Sequence, residues 1–165
     1  MKKFLIIGNQ NALCYKEFFP YFKKGKVFTG YTFNKVMSFK IPEYYAGGPY
    51  CKVAGICWFS NLFIEKEGTI QLTKTYDPEE YPKYDNYDAI NCDKVKDVPY
   101  DYDGAIGVPI TILDKVSTGG IIHLNQEDYS IVKNMASATI DENSAGYPYI
   151  NGKKKYARVI IKKKI

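Results

Sequence analysis

The chain has 165 residues, 16% of them aromatic, and a formal net charge of +5. Its length and 45% hydrophobic content predict a folded globular protein with a substantial core and exclude a disordered chain. It has no apolar run near the roughly 18 residues of a membrane span, and the apolar stretch after Lys2 and Lys3 is too short for a signal peptide. We therefore expect a cytoplasmic protein without a membrane partner.

The charge is divided into three blocks along the chain. Residues 1–66 have ten lysines and three acidic residues, hence +7, and residues 67–118 have five lysines and eleven acidic residues, hence −6. Residues 119–165 have eight basic and four acidic residues, hence +4. Within the middle block, residues 76–115 place six tyrosines among acidic residues and prolines. A polyanion would bind the basic blocks on either side, because clustering of charge matters more than net charge.

The beginning of the chain predicts a strand, a helix and a second strand. Residues 4–7 are a short apolar run typical of a strand buried on both faces. Asn9 or Asn11 can cap a following helix that ends near residue 25, and Pro20 predicts a break inside it. Residues 27–33 predict the second strand.

The middle of the chain predicts further strands. Residues 53–64 form the most apolar run and predict a long strand, paired through a turn at residues 65–68 with an alternating strand at residues 69–75. In the acidic block, residues 88–92 predict a short strand. Residues 108–113 predict an edge strand, where a proline is tolerated.

The last third of the chain predicts a strand at residues 120–124 and a mostly irregular loop at residues 125–148. Asn151-Gly152 is the strongest two-residue hairpin signal, so residues 149–161 predict a hairpin. The fold class expected is α/β to α+β, mostly β. Residues 1–75 would be the end of an α/β sheet and residues 76–165 a β-rich region with hairpins, unless the whole chain is one compact unit.

Five segments, in order over most of the chain, carry a resemblance to a known family. They are KKFLIIGNQNAL, YKEFFPYFKKGKV, GICWFSNL, YPKYDNYDAINCDKVKDVPYDYDGAIGVPITILDK and INGKKKYARVIIKKK. They resemble the C-terminal part of the EcoRI-type adenine-specific DNA methyltransferase family. The resemblance implies late strands of a methyltransferase-like mixed sheet joined to a recognition region. It also implies S-adenosylmethionine as methyl donor and double-stranded DNA as partner, in restriction-modification.

The family's two chemical motifs are missing from the sequence. It contains no cofactor-binding glycine motif and no Asn-Pro-Pro-Phe/Tyr motif, since no two of its prolines are adjacent. We therefore expect a C-terminal fragment with no catalytic residue, which binds no cofactor by itself and contributes DNA binding rather than methylation. The alternatives are a non-catalytic partner that completes a catalytic half encoded elsewhere, and an inactive remnant. A bare face on residues 4–7 would favour such a partner or self-association.

Two aromatic residues are candidates for stacking on a target base. Enzymes that modify a base extrude it and hold it against an aromatic ring, and the resemblance places that role on the strand containing Trp58 and Phe59. The alternative is that both are core aromatics. Because neighbours on a strand point to opposite faces, at most one of them can face a base pocket.

The basic residues near the end of the chain are candidates for contact with DNA phosphates, which supply sequence-independent affinity. The alternative is a solvated strand edge whose lysines oppose edge-to-edge pairing. The candidates are Lys153, Lys154, Lys155 and Arg158.

The other reactive residue types favour structural roles. The four cysteines form no CxxC pair, which predicts free buried thiols rather than a zinc site or disulfides. His123 is the only histidine and predicts a packed or surface residue outside any Ser/His/Asp arrangement. Asp101 and Asp103 are weak evidence for a divalent cation, and Gly104–Gly107 is too short for a dinucleotide loop. No metal site is expected.

Overall fold

The computed structural model describes residues 2–32, 36–62 and 69–165. Within these ranges the fold is mostly β, as predicted, with one short α-helix, several single 3-10 turns and no helix long and apolar enough to cross a bilayer. The strands are β1 (Leu5–Asn9), β2 (Phe28–Thr32), β3 (Met37–Lys40), β4 (Tyr50–Val53), β5 (Ile56–Ser60), β6 (Ile90–Asn91), β7 (Ile106–Pro109), β8 (Ile121–Leu124), β9 (Glu127–Met135), β10 (Ile140–Asp141), β11 (Ser144–Ala145), β12 (Tyr149–Ile150), β13 (Lys153–Lys154) and β14 (Arg158–Lys163). The helix is α1 (Phe19–Lys23).

A small sheet opens the chain, with β5 between β1 and β2 and all pairs antiparallel. Its inner face is closed by aromatic residues, since the Phe59 ring lies 5.4 Å from Phe18 and 5.9 Å from Phe22. The outer face is open. Leu5 and Ile7 remain 56% and 57% exposed, so the prediction that residues 4–7 are buried on both faces is wrong.

The single helix predicted after β1 is two short helices. A 3-10 turn, Gln10–Cys14, is capped by Asn9, whose Oδ1 accepts from the Asn11 amide at 2.9 Å, and α1 follows. Pro20 lies in the first turn of α1. It therefore begins the helix, where its missing N–H has no intrahelical partner to lose, instead of breaking one.

The partner predicted for the long apolar strand is different in the structure. Strand β5 is shorter than residues 53–64 and pairs with β1 and β2. Among the described residues, residues 69–75 form a single ladder contact, a bridge from Ile70 to Leu124. The predicted turn lies at residues outside the described ranges. Between β2 and β5, β3 and β4 form a separate two-stranded hairpin.

The larger sheet has the order β10-β11-β9-β14-β7-β6, with β8 paired to β9. Both strands predicted in the acidic block are present as β6 and β7. However, β7 is not an edge strand, because it lies between β14 and β6, and Pro109 is its last residue. The remainder of the predicted edge strand is a 3-10 helix, Ile110–Lys115.

Strand β9 contradicts the loop predicted for residues 125–148. It buries Tyr129 and Ile131 in alternation and pairs with both β8 and β14. Its ladder with β14 shifts register between Ile160 and Ile161, which interrupts the simple alternation that a sequence pattern would show. The strand predicted at residues 120–124 is confirmed as β8.

Helix α1 is joined to the larger sheet by a side-chain hydrogen bond and lies against a glycine turn that precedes β8. The Lys23 ammonium donates to the Val132 carbonyl at 2.6 Å, and the turn at Gly119-Gly120 lies against the end of α1. Gly120 has φ +75°, and a Cβ there would clash with the Lys23 carbonyl oxygen, so only glycine fits. One apolar core includes buried residues from both sheets, among them Phe59, Leu124 and Val159.

Candidate nucleic-acid interface

The strongest basic cluster of the chain lies on the hairpin formed by β12 and β13. Asn151 and Gly152 connect these strands with φ of 51° and 71°, the left-handed pair that a tight hairpin turn requires. The predicted turn is thus confirmed. The second arm of the hairpin ends at Lys154, because residues 158–163 leave it to form β14 in the larger sheet. Lys153, Lys154 and Lys155 are all exposed.

The acidic block holds this basic hairpin in place. The two carboxylate oxygens of Asp85 accept from the backbone amides of Asn151 and Gly152 at 3.0 and 2.7 Å. The Asn86 side-chain amide donates to the Tyr147 carbonyl at 2.8 Å, and the Asp85 amide donates to the Tyr149 carbonyl at 2.9 Å. The lysines therefore project from a turn whose backbone donors are already bonded.

Arg158 differs from the three lysines because it is buried. Its side chain is 9% exposed, and its guanidinium donates to Asn91 Oδ1 at 3.2 Å and to Asp93 Oδ1 at 2.7 Å. It also donates to the carbonyls of Tyr156 and Ala157 at 3.2 Å. These bonds occupy the guanidinium within the chain, so the exposed cluster consists of lysines alone.

Asp93 is the acidic partner of Arg158. A hydrogen bond from the Asn91 amide, together with the bond and charge of Arg158, lowers the pKa of the Asp93 carboxyl below its ordinary value, against an opposing effect of burial. Nearby Lys155 acts in the same direction. This network links β6 to β14 across the base of the hairpin.

Most tyrosines of the acidic block pack inward or against each other. The Tyr84 hydroxyl donates to Asn91 Oδ1 at 2.9 Å, and the Tyr76 and Tyr102 rings lie 4.6 Å apart. Burial, with neighbouring acids, raises the pKa of Tyr81 to about 12. The Tyr81 phenol is therefore neutral at pH 7, and its hydroxyl donates to the Asp97 carbonyl at 2.7 Å.

The two stacking candidates occupy opposite faces of β5. Phe59 is 2% exposed and belongs to the core. Trp58 pairs with Ile7 across the ladder and lies on the open face, where its Cβ packs against Gly30. Trp58 is only partly buried, so it is the one of the two that a ligand can reach.

The structure brings His123 into an arrangement that the sequence did not predict. Its Nδ1 lies 2.7 Å from Asp128 Oδ1, and its Nε2 lies 3.2 Å from Ser117 Oγ. His123 lies at the surface, which is one of the two positions predicted for it, although the nearby Ser117 and Asp128 could not be read from the sequence. The geometry is a surface pairing between β8 and β9, with His123 53% exposed, and the Ser117 hydroxyl also donates to the Ile121 carbonyl at 2.9 Å.

The remaining reactive residues have structural partners. In the described residues, no three His, Cys, Asp or Glu side chains are close enough to hold a metal ion. Asp101 accepts from the Tyr76 amide at 2.7 Å, and Asp103 pairs with Lys163 at 3.7 Å. None of the four cysteines, all of which lie in the described ranges, forms a disulfide, and Cys51 is exposed rather than buried.

Sequence reasoning missed several exposed aromatic residues close to the lysines. Tyr15 and Tyr156 are 61% and 67% exposed, and both line a cleft with Tyr147. These residues come from distant parts of the chain, so no local motif connects them. A second aromatic group, at Tyr44 and Tyr45, lies in the loop that joins β3 to β4.

Comparison with known proteins identifies relatives along almost the whole chain. The family model described as "Adenine-specific methyltransferase EcoRI" matches residues 1–164. The chain is 38% identical to the type II methyltransferase M.EcoRI of Escherichia coli over 99% of its own length and 51% of the relative's.

Two mycoplasma proteins give similar matches. The type II methyltransferase M.MgeORF184P of Mycoplasma genitalium is 34% identical over 98% of this chain and 57% of its own length. M.MpnI of Mycoplasma pneumoniae is 30% identical over 99% of this chain and 57% of its own length. The chain thus spans about half the length of these relatives. No solved structure matches it.

Proposed function

The chain belongs to the EcoRI family of adenine-specific methyltransferases, and from this membership we propose that it contributes DNA contact and target recognition without methylating DNA on its own. The single observation that carries the proposal is the hairpin turn that presents Lys153, Lys154 and Lys155 on one anchored, exposed edge. Double-stranded DNA is the proposed partner, and a cytoplasmic location is part of the same proposal. Residues 76–165 would form the recognition region.

The lysines of the hairpin suit phosphate contact for a physical reason. Each ammonium that neutralises a phosphate releases condensed counterions, which makes affinity strongly dependent on salt. Asp85 bonds the turn amides, so the turn can present these charges without rearranging. Arg158 supports the lysines indirectly, because it bonds the carbonyls of Tyr156 and Ala157, which follow the hairpin and lead into β14.

The test is the salt dependence of binding to duplex DNA, measured by fluorescence anisotropy. Lys153, Lys154 and Lys155 are replaced with glutamine one at a time. Each replacement should reduce the slope of the logarithm of the binding constant against the logarithm of the salt concentration by about 1. The control is Lys96→Gln, which removes the same charge from an exposed site in the acidic block and should leave the slope unchanged. An unchanged slope in the three hairpin variants would contradict phosphate contact by this hairpin.

Trp58 is proposed as an aromatic contact for a DNA base, on the open face of β5. It is the only tryptophan of the chain, so its fluorescence reports on this position alone. Stacking on a base should quench its emission when DNA is added. An emission spectrum that does not change while anisotropy shows bound DNA would contradict the contact.

Two observations bear on S-adenosylmethionine, the cofactor of the family. The polar side chain at the end of β1 is already bonded, since Asn9 donates to the Ala54 carbonyl at 2.8 Å and accepts from Asn11. The sequence has no glycine-rich cofactor motif. We propose that the chain alone binds no cofactor, and transfer of a radiolabelled methyl group to adenine by the pure chain would contradict this.

A second candidate function is that of a partner that completes a separately encoded catalytic half. The observation in its favour is the open face of β1, where Leu5 and Ile7 are more than half exposed beside Trp58. Co-purification with a chain that has the missing motifs, and methylation only by the pair, would support it. An inactive remnant would show neither DNA binding nor co-purification.

A further inference from the structure

A cleft of about 320 Å³ lies between the 3-10 turn after β1 and the basic hairpin. This volume is at the small end of the range for ligand sites, and a duplex is too wide to enter it. Among the described residues that line it, none is acidic. They include Tyr15, Tyr147, Lys154, Lys155 and Tyr156.

Three tyrosines and two lysines are among the residues that line the cleft. The Lys154 ammonium lies 3.3 Å from the centre of the Tyr147 ring, a cation–π contact that fixes the charge at the cleft. Tyr15 and Tyr156 leave more than half of their side-chain surface exposed. A positive groove with accessible aromatic rings is the arrangement that binds unpaired nucleotides, because every base has a face that can stack on a ring.

The cleft is held open by bonds from its surroundings. Arg158 donates to the carbonyls of Tyr156 and Ala157, and the Tyr156 hydroxyl donates to Asn11 Oδ1 at 3.4 Å. The Lys155 amide donates to the Pro148 carbonyl at 2.8 Å. Burial raises the pKa of the Cys14 thiol to about 11, so this lining residue is neutral and adds no negative charge.

We infer that this cleft binds one unpaired nucleotide of a DNA strand, with its base against Tyr156 and Tyr15 and its phosphate at Lys154 and Lys155. The inference rests on the proposed function and specifies where an unpaired nucleotide would bind. The nucleotide is held by stacking and charge, in a site built without the Asn-Pro-Pro-Phe/Tyr motif. Lys153 lies outside the cleft and contributes only to general phosphate attraction.

The experiment compares a plain duplex with the same duplex containing one bulged 2-aminopurine. Stacking on the cleft tyrosines should make the bulged duplex bind about 5- to 150-fold tighter and should quench the 2-aminopurine emission. Tyr156→Ala should remove this advantage and the quenching. Tyr156→Phe, which loses only the long bond to Asn11, should keep both.

Two lysine variants separate the cleft from general charge attraction. Lys154→Gln should lower affinity for the bulged duplex more than for the plain duplex, whereas Lys153→Gln should lower both equally. Urea unfolding of each variant shows whether it is folded. Because Tyr156 and both lysines are exposed, no variant should lose more than a small part of its stability.

The possible results separate this inference from the proposed function. Equal affinity for the two duplexes, with the expected salt slope, would overturn the cleft and leave duplex binding standing. Affinity for the bulged DNA alone would support the cleft and contradict the proposed duplex contact. If free AMP removes the higher affinity for the bulged duplex, the cleft recognises a nucleotide and does not require a continuous strand. The cleft inference would be overturned if Lys153→Gln and Lys154→Gln lowered the two affinities equally and Tyr156→Ala changed neither.

Discussion

Arg158 shows how the surroundings of a single residue decide its role. By its position in a basic stretch it was expected to contact phosphate, yet it is buried and bonded to Asn91 and Asp93 on another strand. Those partners are more than 60 residues away in the sequence. A local charge pattern identifies exposed lysines well, because lysine is seldom buried, but it cannot show which arginine is enclosed by a distant strand.

The first prediction concerns the forked set of hydrogen bonds that the Arg158 guanidinium donates. Arg158→Lys keeps the charge but cannot bond Asn91, Asp93 and two carbonyls at once, so the free energy of unfolding should fall by about 2 kcal/mol in urea titrations. The control is Lys162→Ala, at an exposed position of the same strand, which should change stability by less than about 0.5 kcal/mol. Equal stability of the Arg158→Lys chain and the unmodified chain would show that the fork is not needed.

The second prediction concerns acid stability. The pKa of Asp93 is lowered in the folded chain, so its carboxylate stabilises the fold above its ordinary pKa of 3.8, and this contribution is lost as pH falls further. Asp93→Asn should lower stability at pH 7 and flatten the loss of stability below about pH 4. The effect should be modest, because the side chain is 72% exposed and solvent screens the pair.

The measurement is the free energy of unfolding at several pH values between neutral and acid. Asp88→Asn is the matched control, since its carboxylate is 94% exposed and pairs only with an exposed lysine among the described contacts. It should leave the curve almost unchanged. A full acid-dependent loss in Asp93→Asn would show that other carboxylates cause it.

At the scale of elements, the hairpin turn and its acidic anchor form one unit. The third prediction is that Asp85→Ala leaves two turn amides without their acceptor, lowers stability by about 1 kcal/mol and speeds amide exchange at Asn151 and Gly152. Asp88→Ala removes an acid three residues away that does not touch the turn amides and should leave exchange there unchanged. Hydrogen exchange read by NMR distinguishes the two.

Elements defined by local chemistry were predicted from the sequence, and those defined by distant partners were not. The Asn151-Gly152 turn needs only left-handed backbone at two positions, so its residues suffice to identify it. Strand β9 is polar in part and depends on β8 and β14 for its ladder, and a register shift disturbs its alternation. Likewise, β14 leaves the hairpin because it pairs with β7 and β9. A turn motif in the sequence does not reveal such distant partners.

At the scale of the whole molecule, the acidic block is structural. It supplies β6 and β7, packs most of its tyrosines in or against the core and bonds the turn that presents the lysines. The sequence indicated correctly where the exposed lysines cluster. It could not indicate the cleft, because Tyr15, Tyr147 and Tyr156 meet only when the first and last parts of the chain fold together.

The fourth prediction concerns the open face of the small sheet. Ile7→Lys should reduce self-association of the concentrated protein in sedimentation velocity, because it replaces an exposed apolar group beside Leu5 and Trp58 with a charge. Ile140→Lys is the matched control at an isoleucine that is 72% exposed on the other sheet. The same change in both variants, or none in either, would exclude the β1 face as the contact.

The position of β14 has a consequence for synthesis of the protein. This strand occupies residues 158–163, yet it lies between β9 and β7 and connects the two halves of the larger sheet. During translation, β6, β7 and β9 emerge from the ribosome well before the strand that joins them. The edges of β7 and β9 that pair with β14 stay open until these residues emerge. A ribosome-bound chain that ends before residue 158 should therefore be degraded readily and should engage chaperones that bind exposed strands.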